Sequence, residues 1–256
     1  MTTRTVILEV EGLKLAGRLY LPAEGDQTPC PTVCICHGIP SGAPPDPSDG
    51  GYPLLAERIC HQGLAVFIFN FRGTGTSGGN LDMLGWTRDL KATIDYLCTL
   101  PQVDRFHLSL LGFSGGAAVS VFVASQDERV SSVVACACPA EFTFLSKIGN
   151  PSSVIDRFRS IGAIRDKDFP SSVEEWINGF RLVSPIKYIA GIAPRPLLLV
   201  HGSGDDVVDV SRAYKLYVGA EEPKQIIIVD GVGHRLRQDD RAMAIVIDWL
   251  KSQCSN

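Results

Sequence analysis

Long apolar runs are missing from this chain. No stretch is long enough to cross a bilayer as a helix. The first residues, MTTRTVILEVEG, carry no basic segment followed by an extended apolar core, so neither a signal peptide nor membrane contact is expected. A basic surplus is missing too: 24 Lys and Arg face 28 Asp and Glu, and the net charge of −4 offers nucleic acid no footprint. The eight cysteines include no C-x-x-C pair, so their spacing does not describe a zinc site. Cys34 and Cys36 fall on one face of an expected strand, as do Cys136 and Cys138; Cys30, Cys60, Cys98 and Cys254 are scattered. They read as small buried hydrophobes in a reducing compartment, which makes the cytoplasm the expected location. Internal repeats and low-complexity tracts are absent.

What is present is 45% apolar and 20% charged over 256 residues, the profile of one large globular domain with room for an inserted lobe. Thr5–Val10 and Leu13–Leu21 flank Glu11-Gly12 and predict a hairpin at an exposed antiparallel edge. Thr32–Cys36, Leu64–Phe71, Phe106–Leu111, Val130–Cys138, Leu197–Val200 and Gln225–Val229 predict buried strands, with Leu64–Phe71, the most apolar, at the centre. Helices are predicted over Leu54–Gln62, Leu84–Leu100, Val210–Gly219 and Ala242–Gln253. Strands alternating with helices imply a mostly parallel sheet covered on both faces. Residues 139–196 break the alternation, and a structureless loop of that length is foreign to a compact domain. Helix-like pieces at Ser152–Ile161 and Ser172–Phe180, with Phe142, Phe144, Leu145, Phe158, Ile161, Phe169, Trp176 and Phe180, predict a small helical cap over 141–192. The core is then 1–140 and 193–256. Most of these aromatics are expected to pack the cap onto the body, and any left over to line an apolar pocket.

The chain is organised around FHLSLLGFSGGAAVSVFVA, Phe106–Ala124. An apolar strand stops at Gly112-Phe113-Ser114-Gly115-Gly116, and an Ala/Val-rich helix starts at once. Strand, sharp turn and helix are the context in which G-x-S-x-G becomes a nucleophile elbow. Side chains at the flanking positions would collide in so tight a turn, which gives Gly112 and Gly116 a mechanical role. The unpaired N–H groups opening the helix, helped by its dipole, suit an oxyanion formed beside Ser114. Gly75-Thr76-Ser77-Gly78-Gly79 matches the same pattern, but Asn80, Leu81 and Asp82 follow it, so no apolar helix starts there and Ser77 is rejected.

A serine hydroxyl needs a base, and the base needs a carboxylate to orient it. Downstream of Ser114 stand only His201 and His234, and only His234 follows the candidate acids, in the chain order Ser, acid, His that accompanies this elbow. The acid should lie in His201-Gly202-Ser203-Gly204-Asp205-Asp206-Val207-Val208, where Asp205 and Asp206 are adjacent and chemistry alone does not choose between them. Asp209 reads as a helix N-cap and Asp230 as a turn residue.

Together HGIP (His37–Pro40), NFRGTGTSGG (Asn70–Gly79), GFSGG (Gly112–Gly116), SPIKYIAGIAPRPLLLVHGSGDDVV (Ser184–Val208) and GVGHR (Gly231–Arg235) resemble an α/β-hydrolase over essentially the whole chain. The nearest branch is that of small esterases and acyl peptidases, which includes dienelactone-hydrolase-like and cinnamoyl-esterase-like enzymes. The resemblance implies the α/β-hydrolase fold and a serine esterase acting through an acyl-enzyme. It makes Asp205, the first aspartate of H-G-x-x-D-x-x-V, the acid. It also assigns the oxyanion hole to the backbone N–H groups of Ile39 and Gly115. The chain departs from many lipases in lacking H-G-G-G, from dienelactone hydrolases in carrying serine instead of cysteine, and in its long loop Ser41–Gly51. The implied substrate is a small or aromatic acyl ester, with no cofactor and no metal, on a monomer or homodimer. Peptidase, thioesterase and acyltransferase chemistry use the same triad, and a non-catalytic binding protein is the rival from another class. Gly73-Thr74-Gly75-Thr76-Ser77-Gly78 spells G-x-G-x-x-G after a strand, but the next strand ends at Leu111-Gly112 without an acid and no G-K-[ST] follows, against a nucleotide site. Its other reading is a structural loop supported by Arg72.

Overall fold

Alternation at a period of two sorts the apolar strands onto two cores. The computed structural model describes residues 1–23, 29–42, 49–142 and 151–254. In β3 (Cys30–Cys36), Val33 and Ile35 face one core while Cys34 and Cys36 face the other. β5 (Val103–Phe113), β6 (Ser132–Cys136) and β7 (Leu197–Gly202) divide their side chains in the same way. Helices α1 (Gly51–Cys60) and α7 (Asp240–Ser252) cover the Val33 face. The opposite face carries α2 (Met83–Leu97), α3 (Gly115–Ala124) and α6 (Ser211–Gly219). With β1 (Thr2–Val10), β2 (Leu13–Leu21), β4 (Ala65–Phe69) and β8 (Lys224–Val229), the sheet has the order β1-β2-β4-β3-β5-β6-β7-β8. β2 is antiparallel to both its neighbours and every other pairing is parallel. This is the expected α/β-hydrolase architecture, with the predicted hairpin on one edge. No helix among the described residues is long and apolar enough to cross a membrane.

Four expectations are corrected. β4 is third from the β1 edge; the middle of the sheet belongs to β3 and β5. Phe106 is 85% exposed, although its strand is buried further on. The register of β5 on β3 jumps from Val103↔Cys30 to Leu108↔Thr32, so residues 104–107 bulge opposite Pro31, which has no N–H to give the ladder. Cys138 does not share a face with Cys136: β6 ends at Cys136, Ala137 takes φ 48°, and Cys138 enters the other core. Asp209 stands one residue before the N-cap of α6, Val210, and its carboxylate accepts the Ser211 N–H.

Between β6 and β7 the chain forms α4 (Pro151–Ser160) and α5 (Val173–Leu182). Ser172 caps α5 by accepting the Glu175 N–H. Phe142, Phe158, Trp176 and Phe180 meet edge to face and are buried against the body. Trp176 Nε1 donates to the Leu81 carbonyl at 2.8 Å, and the Arg165 guanidinium donates to the carbonyls of Gly75 and Ser77. At the other end, Arg157 donates to the Ser41 carbonyl and Ile161 packs on Gly42. Phe144 and Leu145 lie outside the described residues, as do 43–48 of the long loop.

Candidate active site

Ser114 stands between β5 and α3 with φ 51° and ψ −120°, a conformation that costs a residue with a side chain about 1–3 kcal/mol. The surroundings hold it there. Its N–H donates to the Cys136 carbonyl at 2.8 Å. A Cβ on Gly112 would collide with the backbone of Ala117, and one on Gly116 with the carbonyls of Cys36 and His37. Bare backbone therefore lets α3 sit directly on β3 and β5, with its first turn at Ser114.

The loop after β3 meets the head of that helix. A Cβ on Gly115 would lie 2.8 Å from Ile39 Cγ1 and 3.6 Å from the Ile39 nitrogen. The amides of Ile39 and Gly115 thus flank Ser114, and neither donates to a described residue. His37 anchors the loop: Nδ1–H donates to the Gly38 carbonyl at 2.8 Å, and Nε2 accepts the Phe71 N–H at 3.2 Å. Burial lowers its pKa, so it serves as a neutral strut.

His234 follows β8. Its Nε2 lies 3.1 Å from Ser114 Oγ, and its Nδ1 lies 2.8 Å and 3.1 Å from the two oxygens of Asp205. Asp205, not Asp206, meets the imidazole; Asp206 is exposed. The loops carrying the two groups are sewn together: Gly204 N–H donates to the Val232 carbonyl, Ser203 Oγ donates to Asp230, and a Cβ on Gly202 would collide with the Val232 carbonyl. Asp205 has a fully buried side chain, and burial alone would raise its pKa. Hydrogen bonds from His201, His234 and the Val208 amide outweigh burial and hold it well below the usual carboxylate range. An ionised Asp205 only accepts, so His234 carries its proton on Nδ1 and turns the Nε2 lone pair to Ser114.

The motifs rejected in the sequence have structural occupations. Ser77 is fully buried, accepts the Ala16 N–H and donates to the Asn70 carbonyl. The positive-φ glycines of its loop are packed full, Gly73 against Leu81 and Ala163 and Gly75 against the Asn70 side chain, which leaves no cradle for phosphate. Arg72 supports the loop, as read, through the buried carboxylate of Asp89 and through Glu11.

A cavity of about 300 Å³ opens beside Ser114 between Ile39, Tyr52, Phe113, Leu236 and Arg237. Arg237 is clamped to Asp49 by two hydrogen bonds and lies 4.9 Å over the Tyr52 ring. Burial pushes the Tyr52 hydroxyl up to about 12, and it accepts the Gly38 N–H at 3.4 Å. A wider cleft of about 640 Å³, also bordered by His234, runs along Asp206, Val207 and Arg235. Among the described residues, the aromatics of α4 and α5 line neither space. The expected leftover cap aromatics are replaced there by Tyr52 and Arg237, which no motif marks. Among the described residues, no group of three His, Cys, Asp or Glu is placed to hold a metal ion.

Known proteins resemble both the sequence and this geometry. The family model described as alpha/beta hydrolase fold matches residues 31–171. The uncharacterized protein PA2218 of Pseudomonas aeruginosa is 26% identical over 274 residues, spanning 87% of this chain and 72% of that one. The crystal structure of the alpha/beta hydrolase GrgF from Penicillium sp. sh18 superposes with a TM-score of 0.79 at 18% identity, covering 100% of both chains. An acetyl xylan esterase from Paenibacillus sp. R4 superposes with a TM-score of 0.73 at 16% identity, over 98% of this chain and 83% of that one. The family match covers more than half of the residues, Ser114 and its elbow included, and the chain belongs to the α/β hydrolase fold family.

Proposed function

We propose that this protein is a serine esterase that cleaves carboxylic esters of small or aromatic acyl groups. The observation that carries the reading is the line Asp205–His234–Ser114, with contacts of 2.8 Å and 3.1 Å, ending beside two amides that have no acceptor among the described residues. Ser114 Oγ attacks the acyl carbon and passes its proton to His234 Nε2. The oxyanion takes the N–H groups of Ile39 and Gly115. Collapse of the tetrahedral intermediate breaks the ester bond, and Nε2 returns the proton to the departing alcohol. Water, deprotonated by the same nitrogen, then releases the acid. Asp205 holds the ring and balances its positive charge. A cavity of about 300 Å³, at the small end of ligand pockets and bordered by Tyr52 and Phe113, supports a compact or flat acyl group.

The test is hydrolysis of p-nitrophenyl esters from acetate to octanoate by the wild type and Ser114→Ala. The variant should lose at least about 10³-fold in kcat, and the wild-type rate should rise with pH across the histidine range, roughly pH 5 to 8. Unchanged turnover in Ser114→Ala would refute the assignment. Chain-length preference should fall at the short end.

A further inference from the structure

Asp205 serves two histidines. Its Oδ1 accepts the amides of Val207 and Val208 at 2.9 and 2.8 Å. Its Oδ2, the oxygen nearer His234, has one further partner among the described residues, His201 Nε2 at 3.2 Å. His201 is the penultimate residue of β7, is 1% exposed, and lies four residues before Asp205 in H-G-x-x-D. Its Nε2 also lies 2.7 Å from the Val208 carbonyl. Both neighbours of this nitrogen are acceptors, so the proton sits on it, aimed at the Val208 carbonyl at 2.7 Å with Oδ2 as the longer contact at 3.2 Å. The result is a closed ring: the Val208 amide holds Asp205, the Val208 carbonyl holds His201, and His201 holds Asp205.

We propose that His201 is a positioning residue of the active site, whose Nε2–H fixes the Oδ2 of Asp205 toward His234. This rests on the reading of Ser114, His234 and Asp205 as the working triad. Without that donor, Oδ2 would keep a single partner and the carboxylate could turn about its side-chain bonds, loosening the base. The negative charge left on Oδ2 would also be less shared, so a stronger charge would face the base and the rate would need a higher pH to develop. The charged and titratable groups around His201 are Asp205 and Asp209 on the loop leaving its own strand, with His234 reaching the same carboxylate from the loop after β8.

The experiment measures the rate at which a fluorophosphonate labels Ser114, from pH 5 to 9, in the wild type, His201→Phe, His201→Met and His201→Gln, with thermal melts to show that each is folded. Phenylalanine and methionine fill the site without a donor, and either suffices if the other does not fold. Glutamine restores an N–H near the Nε2 position. The donor-less variants should label about 10- to 100-fold more slowly, the worth of a hydrogen bond to a charged group, and their pH limb should move upward. His201→Gln should recover most of the rate and the wild-type limb. Donor-less variants that label at the wild-type rate, or more slowly on an unmoved limb, would overturn the proposal and leave the triad reading standing. A wild type that does not label at all would instead refute the triad reading, and this proposal with it.

Discussion

Replacing Asp205 by asparagine tests the site most sharply, because the two substituents of the new amide would meet opposite demands. Four groups face the carboxylate: the Val207 and Val208 amides and His234 Nδ1 donate to it, and His201 Nε2 stands 3.2 Å from it. Asparagine offers one oxygen and one NH₂. With its oxygen toward the two amides, its NH₂ faces both imidazoles. His234 must then move its proton to Nε2, where it points at Ser114 and can no longer take a proton from it. His201, whose Nε2–H stays on the Val208 carbonyl at 2.7 Å, would face the new NH₂ donor to donor. With the amide reversed, NH₂ confronts two backbone donors. Either way one or two buried groups lose partners, at about 1–3 kcal/mol each in stability. On the proposed mechanism, a triad histidine held in the wrong tautomer costs on the order of 10⁴ in kcat, about 5.5 kcal/mol. Asp206 is exposed, so Asp206→Asn should stay within about 0.5 kcal/mol and about twofold in rate. Ester hydrolysis and thermal melts on the two variants decide it. A crippled Asp206→Asn beside an active Asp205→Asn would refute the reasoning.

Two further outcomes follow from packing and burial. Gly116→Ala should destabilise the protein by about 3 kcal/mol or more, since the added methyl would strike the carbonyls of Cys36 and His37, which are fixed in or next to a central strand; a melting temperature equal to that of the wild type would refute the close approach of α3 to β3. Burial lowers the pKa of His37, so below about pH 6.5 the unfolded chain binds a proton that the folded chain does not. The stability His37 contributes is complete above that pH and is lost as the pH falls toward its folded value. Melting temperature should drop between pH 7.5 and pH 5, and drop less in His37→Gln; equal slopes would refute the neutral strut.

Much of this molecule was legible because its local signals agree. The elbow is written in Gly112, Ser114 and Gly116 together with the change of period around them, and a Cβ at either glycine would collide with neighbouring backbone. Helix and strand order followed from apolar runs punctuated by glycine and proline. What escaped depends on pairing across the fold. Phe106 looks like core until Pro31, on another strand, forces the bulge. Cys138 looks like a partner of Cys136 until one left-handed residue turns the chain over. Asp205 and Asp206 are indistinguishable as neighbours, and only family resemblance favoured the first. Tyr52 and Arg237 carry no motif, since the wall they build joins segments from opposite ends of the chain. His201 had a signal, its spacing of four from Asp205, but a histidine closing an apolar strand reads equally well as packing.

The sheet order has a consequence for how the protein fails. Ser114 and its two amides are mounted on β3 and β5, at the middle of the sheet, where each strand is bonded on both sides. His234 hangs from β8, the last strand, bonded to β7 alone among the described residues. Opening fluctuations begin at such rims. Amide hydrogens of Ile226–Val229 should exchange with solvent sooner than those of Leu108–Gly112, and on warming the imidazole should part from the hydroxyl while the Ser114 half of the site is still intact. Inactivation then precedes melting, and the temperature gap between the two measures how loosely the outer strand is held.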